Sequence, residues 1–263
     1  IANCLVGSEM CIRDRNGEIQ LMKNLIVPLL ACIACAVIVS FTAVSVRYEQ
    51  KLNQENEKKE KILAAAGIKT GNIDEEFSKI KTLFFSFETG ELVSVESGYD
   101  HIKAASNPEL SNIVPSKLDI AIIKRQEKIA PVYVWLDETS NIEKIVLPIR
   151  GYGLWGTLYG YLSLGPDLNS VMGIEYYEHK ETPGLGGEVD NPNWKLGWQG
   201  KKIYNSEGSV SLKVVKGVSK DDYEIDGMSG ATITSNGVTN MINFWLGDQG
   251  YGPIIKKLNE VIE

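Results

Sequence analysis

Beyond Cys35 the sequence contains no cysteine, and only two histidines, His101 and His179, occur in its 263 residues. The first absence excludes a disulfide framework over that stretch. Together the two leave no cysteine nucleophile outside the N-terminal segment and no spaced set of imidazole ligands, so triad hydrolysis and a zinc centre lack partners. His179 lies beside Glu178 and Glu181, and with one imidazole it reads as a strand-end histidine rather than part of a metal cluster. Basic charge is also in short supply: 27 Lys and Arg stand against 34 Asp and Glu, a formal net charge of −7, which argues against nucleic acid as a partner. No G-x-x-x-x-G-K-[ST] loop occurs, and no G-x-G-x-x-G turn joins a strand to a helix, so nucleotide turnover finds no support.

Residues 25–46 lack charge altogether. At 1.5 Å rise per residue such a run is long enough to cross a bilayer core, and it predicts a membrane span. Small residues at 43–45 keep a cleaved signal peptide open as the alternative. Lys23 before the span is nearly balanced by Arg47 and Lys51 after it, so orientation rests on the default for a short N-terminal tail and a long C-terminal domain, which places the domain outside the cytoplasm. Cys32 and Cys35 have C-x-x-C spacing inside this run and read as small apolar residues of the span rather than a redox pair. Residues 1–21 show neither periodicity nor targeting logic and read as a non-native extension, with Met22 the better start.

After the span, residues 48–66 are rich in Glu, Lys, Gln and Leu and end at Gly67, which predicts a polar helical stalk. Strand signals follow at 131–136, 142–149, 156–164 and 171–178, with turn-rich segments between them, and a last strand at 210–215 precedes a loop over 217–226. Residues 68–128, with their Phe84-Phe85-Ser86-Phe87 cluster, are assigned only to the body of the same domain. The class is α+β: one N-terminal transmembrane helix, then a single domain of antiparallel strands closed by a C-terminal helix.

The densest chemistry lies over residues 226–238, where small, hydroxylated and glycyl residues precede a helix whose apolar positions are Val238, Met241, Ile242, Trp245 and Leu246. That helix begins near 232–236, and two readings of its start remain open. Thr232, Thr234 or Ser235 caps it. Alternatively, the free N–H groups and positive dipole end seat an anion, with Gly227 and Gly230 letting the backbone close around it.

Ser229-Gly230-Ala231-Thr232 resembles the S-G-A-T flavinylation motif of the FMN-binding domain family. Gly151-Tyr152-Gly153-Leu154-Trp155 and Glu181-Thr182-Pro183-Gly184-Leu185-Gly186 resemble that family's two other signatures, in the family's order. With the N-terminal span and the tail over 244–253, the resemblance extends from Met22 onward. It points to the C-subunit family of sodium-translocating NADH:quinone reductases, and less well to the G-subunit family of Rnf-type electron-transport complexes.

The resemblance implies FMN joined covalently through its phosphate to Thr232, with Thr234 the competitor. Ser229, Gly230, Ala231 and Asp226 complete the motif read by a flavin transferase, and Thr182, Leu185 and Trp155 border the flavin. It implies an electron relay among the subunits of a membrane complex in the bacterial inner membrane, with the domain in the periplasm. The division expected is 1–21 extension, 22–47 anchor, 48–67 stalk and 68–263 FMN-binding domain. The competing reading is a colourless, membrane-tethered structural subunit whose S-G-A-T segment only caps a helix.

Overall fold

The computed structural model describes the backbone of residues 6–69, 71–96 and 98–262 and the side chains of 23–69, 71–96 and 98–258. The side chains of the expected extension, residues 1–21, lie outside the described residues. The chain divides into two units between Glu55 and Asn56.

The first unit is carried by helix α1 (Val6–Ala65), which continues into the second. Its apolar stretch is long enough to cross a membrane, and its side chains are exposed throughout, Phe41 by 74%. The hydroxyl groups inside that stretch bond back to the main chain: Thr42 Oγ1 donates to the Ile38 carbonyl at 3.0 Å and Ser45 Oγ to that of Thr42 at 2.9 Å. Such back-bonding lets a polar side chain sit in an apolar medium without an unsatisfied donor.

In the second unit the last turns of α1 bury Ile62, Leu63 and Ala65, with Ala66 following, against Trp135, Val146 and Tyr161. The helix stops because Gly67 takes φ +74, the Gly67 N–H reaching the Ala64 carbonyl and the Ile68 N–H that of Leu63. This is a Schellman ending, which needs a left-handed residue at the position of the glycine.

The body is a five-stranded antiparallel sheet, in spatial order β1 (Lys81–Ser86), β4 (Ile129–Leu136), β5 (Ile142–Tyr152), β6 (Thr157–Leu164) and β7 (Val171–Glu178). Helices α2 (Ile73–Ser78) and α3 (His101–Ser106) and the ribbon β2 (Ser111–Ile113) with β3 (Arg125–Glu127) fill the connections around β1 and β4. After β7 come a 3-10 turn over Gly186–Asp190, helix α4 (Pro192–Leu196), strands β8 (Lys213–Val214) and β9 (Glu224–Ile225), then α5 (Thr232–Leu246) and α6 (Gly252–Ile262). The expected α+β class and the hairpins β4–β5, β5–β6 and β6–β7 are present.

Two expectations change. The strand expected at 210–215 is reduced to β8, and its partner is β9, inside the segment expected to be loop; the two run parallel. The chain reverses at Gly217, φ +93, and Gly227 returns so close that a Cβ there would stand 2.1 Å from the Val215 carbonyl oxygen. Residues 81–86, unassigned from sequence, form edge strand β1, with Leu83 and Phe85 turned inward.

Helix α5 lies across β5 and carries Val238, Met241, Ile242, Trp245 and Leu246 into the core, the stripe that its periodicity predicts. Two glycines permit the approach: a Cβ at Gly151 would meet the Met241 Cβ at 2.7 Å, and one at Gly237 would meet the Tyr152 carbonyl oxygen at 2.4 Å. Beneath the helix, Arg150 and Glu127 form a buried ion pair, with Arg150 Nη1 donating to Glu127 at 3.0 Å. The Trp245 Nε1–H donates to the Arg150 carbonyl at 2.6 Å. The end of β5 is thereby fixed to the helix that follows the S-G-A-T segment.

Candidate functional site around the start of α5

The three sequence signatures meet at one place. The first is the tip of the β5–β6 hairpin, where Gly153 N donates to the Gly156 carbonyl at 2.8 Å and Leu154 and Trp155 form the turn. Gly151, Gly153 and Gly156 have G-x-G-x-x-G spacing, yet they join two strands, so the spacing serves a hairpin and not a dinucleotide turn. The second is the loop after β7, where Gly184 takes φ +75 and the Thr182 carbonyl accepts the N–H groups of Leu185 and Gly187. The third is the start of α5.

Glu181 joins all three. Its carboxylate is buried: Oε1 accepts the N–H of Leu154 at 3.0 Å and of Trp155 at 2.9 Å, and Oε2 accepts the Thr234 hydroxyl at 2.5 Å. From sequence, Glu181 stands beside His179 and opens the second signature, without a role of its own. Its position at the head of the E-T-P-G-L-G signature was the available signal.

The N-cap of α5 is Ala231, which has no side-chain acceptor to offer, and no described side chain caps the first turn. The reading in which Thr232, Thr234 or Ser235 caps the helix is therefore not what the chain does. Ser235 Oγ instead accepts the Met228 N–H, and Thr234 is fully buried on Glu181. Thr232 is exposed in the first turn. It lines a groove of about 340 Å³ together with Ser229, Gly230, Asn236 and Lys216. Gly230 takes φ +71, and a Cβ there would stand 2.9 Å from Leu185 Cδ2, so the motif glycine lets the second signature close onto the third.

The expected site residues thus separate into three groups. Ser229, Gly230 and Thr232 share the small groove, while Ala231, buried, sets the helix start. Leu185 reaches Gly230, and Trp155, 61% exposed, is tied to α5 through Glu181. Leu154, Tyr152 and Ile233 are exposed as well, so apolar surface collects on the loops around the helix start. Thr182 is exposed and contributes its carbonyl rather than its side chain.

Asp226 faces a different groove, of about 660 Å³, which it lines with Ser229, Trp194 and Lys201. The Ser219 N–H donates to its carboxylate at 2.6 Å and holds its pKa below the usual carboxylate value.

The FMN-binding domain family matches residues 153–247, from the hairpin tip to the end of α5. Over a longer span, the C subunit of the Na(+)-translocating NADH-quinone reductase of Pseudomonas aeruginosa is 40% identical, covering 90% of this chain and 96% of that one. The chain belongs to the C-subunit family of Na(+)-translocating NADH-quinone reductases. The Vibrio alginolyticus member of that family is 39% identical over 92% of this chain and 96% of its own length.

Two solved structures agree in fold. The crystal structure of Shewanella oneidensis NqrC superposes with a TM-score of 0.75 at 34% identity, covering 80% of this chain and 99% of that one. The corresponding protein of Parabacteroides distasonis gives 0.64 at 29%, covering 80% and 96%. As a member of the C-subunit family with a long apolar N-terminal helix, the chain is membrane-anchored and carries the family's FMN-binding domain.

Proposed function

We propose that this chain holds FMN covalently, through a phosphoester to Thr232 Oγ1, and relays electrons between partner subunits of a sodium-translocating NADH:quinone reductase while sodium is exported. The observation that carries this reading is the contrast between two threonines: Thr232 is exposed on a helix start without a side-chain cap, whereas Thr234 is fully buried and donates to Glu181.

The residues fit the group. The first-turn N–H groups of α5 and the positive end of its dipole favour a phosphate beside Thr232. Lys216 lines the same groove and adds a cation. Leu154, Trp155 and Leu185 offer exposed apolar surface suited to a flat ring system. When bound, the flavin supplies the one-electron chemistry, and the protein's part is to hold it and set its surroundings.

The anchor is taken as residues 22–47 and the flavin-binding domain as 68–263, joined by the stalk over 48–67, with the domain on the periplasmic face of the inner membrane. A domain facing away from the cytoplasm has no free FMN pool to replace a lost cofactor, which favours a covalent bond. A flavin transferase reading Asp226 through Thr232 makes that bond, and other subunits carry the NADH and quinone sites.

Intact mass of the detergent-extracted chain, produced with its transferase, should exceed the sequence mass by one FMN less water. Thr232→Ala should abolish the increment and the fluorescent band on a denaturing gel, while Thr234→Ala keeps both. The opposite pattern would move the attachment to Thr234, and an unmodified wild-type mass would sink the covalent reading.

A further inference from the structure

Glu181 is buried, with 5% of its surface exposed, and no Lys, Arg or His among the described residues pairs with it. Its charge is met by three donors instead: the N–H groups of Leu154 and Trp155 and the hydroxyl of Thr234, in the first turn of α5. Hydrogen bonds to a buried carboxylate are charge-assisted and stronger than neutral ones, and a helix start adds a favourable dipole.

The surroundings are cut to the carboxylate. A Cβ on Gly153 would come within 2.6 Å of Oε1, and a Cβ on Gly186 within 2.5 Å of Oε2 and 2.6 Å of Thr234 Oγ1. Its main chain is held as well, for the Glu181 N–H donates to His179 Nδ1 at 3.2 Å. The other ring nitrogen of His179, Nε2, faces Asp190 Oδ2 at 2.7 Å.

Hairpin tips satisfy their N–H groups in the turn or in water. Here two consecutive N–H groups of the tip are spent on a side chain from another loop. The bond serves no ladder and no helix, and it links the strand pair that carries Trp155 to the helix that carries Thr232.

We infer that Glu181 is a positioning residue of the flavin site, acting in two ways. It fixes the Leu154–Trp155 tip against α5, two residues along the helix from Thr232, so that apolar platform and attachment point keep one spacing. Its negative charge, held in a buried and water-poor setting, opposes the addition of an electron to a flavin placed beside it and so holds the flavin potential low. The second effect rests on the reading that Thr232 carries FMN; the first does not.

The two effects separate in two variants of the full detergent-extracted chain. Glu181→Gln keeps the hydrogen bonds and removes the charge, because the amide carbonyl can accept both N–H groups and the amide NH₂ can donate to Thr234 Oγ1. Glu181→Ala removes both. On the unloaded chain, produced without the transferase, hydrogen exchange at the Leu154 and Trp155 amides should stay slow in wild type and in Gln. It should accelerate by about ten- to a hundredfold in Ala, as loss of a charge-assisted hydrogen bond implies.

On the loaded chain, Gln should raise the flavin midpoint potential with its absorbance unchanged, and Ala should also alter the absorbance band. Equal exchange in wild type and Ala, with the unfolding midpoint retained, overturns the positioning role. An unmoved potential in Gln overturns the electrostatic one and remains readable if Ala fails to fold. Absence of FMN from the Thr232 peptide of wild type is a failure of the cofactor reading, and the exchange comparison then still decides the positioning role.

Discussion

Replacing Arg150 by Met breaks the buried pair on which the end of β5 rests. Glu127 is 2% exposed and Arg150 6%, so removing the guanidinium leaves a carboxylate with neither water nor cation. A broken buried pair costs about 3–5 kcal/mol. Arg150 also donates to the Arg125 carbonyl at 3.1 Å and stands 5.0 Å from the centre of the Trp245 ring, so the loss extends to β3 and α5. For a domain of this size the total corresponds to a fall in Tm of roughly 10 °C.

Urea unfolding of the detergent-extracted chain, followed by far-UV circular dichroism, measures it directly. The double variant Glu127→Leu with Arg150→Met should recover most of the loss, because it leaves no charge behind. The residual cost, from the Arg125 carbonyl and the Trp245 ring, should be about 1–3 kcal/mol. A single substitution costing less than about 1 kcal/mol, or a double variant as unstable as the two singles added, would refute the claim that the pair is held by mutual desolvation.

Two further outcomes are expected. Burial pushes the His101 imidazole down to about 4 from an ordinary 6.5. The unfolded chain therefore binds a proton that the folded chain refuses, so stability is full above the unfolded value and falls as pH drops from 6.5 towards 4, by about 3 kcal/mol. Unfolding midpoints at pH 7 and 4.5 should show this, and the slope should flatten in His101→Phe. Gly237→Ala sets helix propensity, worth about 1 kcal/mol in its favour, against a Cβ 2.4 Å from the Tyr152 carbonyl oxygen. Overpacking against backbone costs about 1–3 kcal/mol, so the variant should be less stable than wild type; a gain in Tm would show that α5 and β5 separate without penalty.

The helix of the site was legible because its signal is periodic: Val238 through Leu246 predict the buried stripe of α5 before any tertiary contact is known. The hairpins were legible for a similar reason, since turn chemistry such as Gly165-Pro166-Asp167 punctuates apolar runs. Strand β1 was hidden because the run Leu83-Phe84-Phe85 is apolar without alternation, although only Leu83 and Phe85 are buried in the fold, and the surrounding segment carries mixed turn signals. Strand β9 was hidden because a two-residue parallel ladder is decided by where Gly217 and Gly227 bring the chain, not by propensity.

At the site, the residues around Thr232 were legible as a pattern, while the choice between cap and anion seat was not, because both use the same small polar residues. Ala231 at the N-cap decides against a side-chain cap. The linking role of Glu181 was not legible because its partners lie 26, 27 and 53 residues away, beyond any local window.

The Glu181 carboxylate holds the hairpin tip by main-chain N–H groups, which every residue except proline supplies. The side chains at positions 154 and 155 are thus released from any duty in keeping the loop in place. Substitution there can reshape the exposed surface of the hairpin tip without loosening the scaffold, with proline the single forbidden choice.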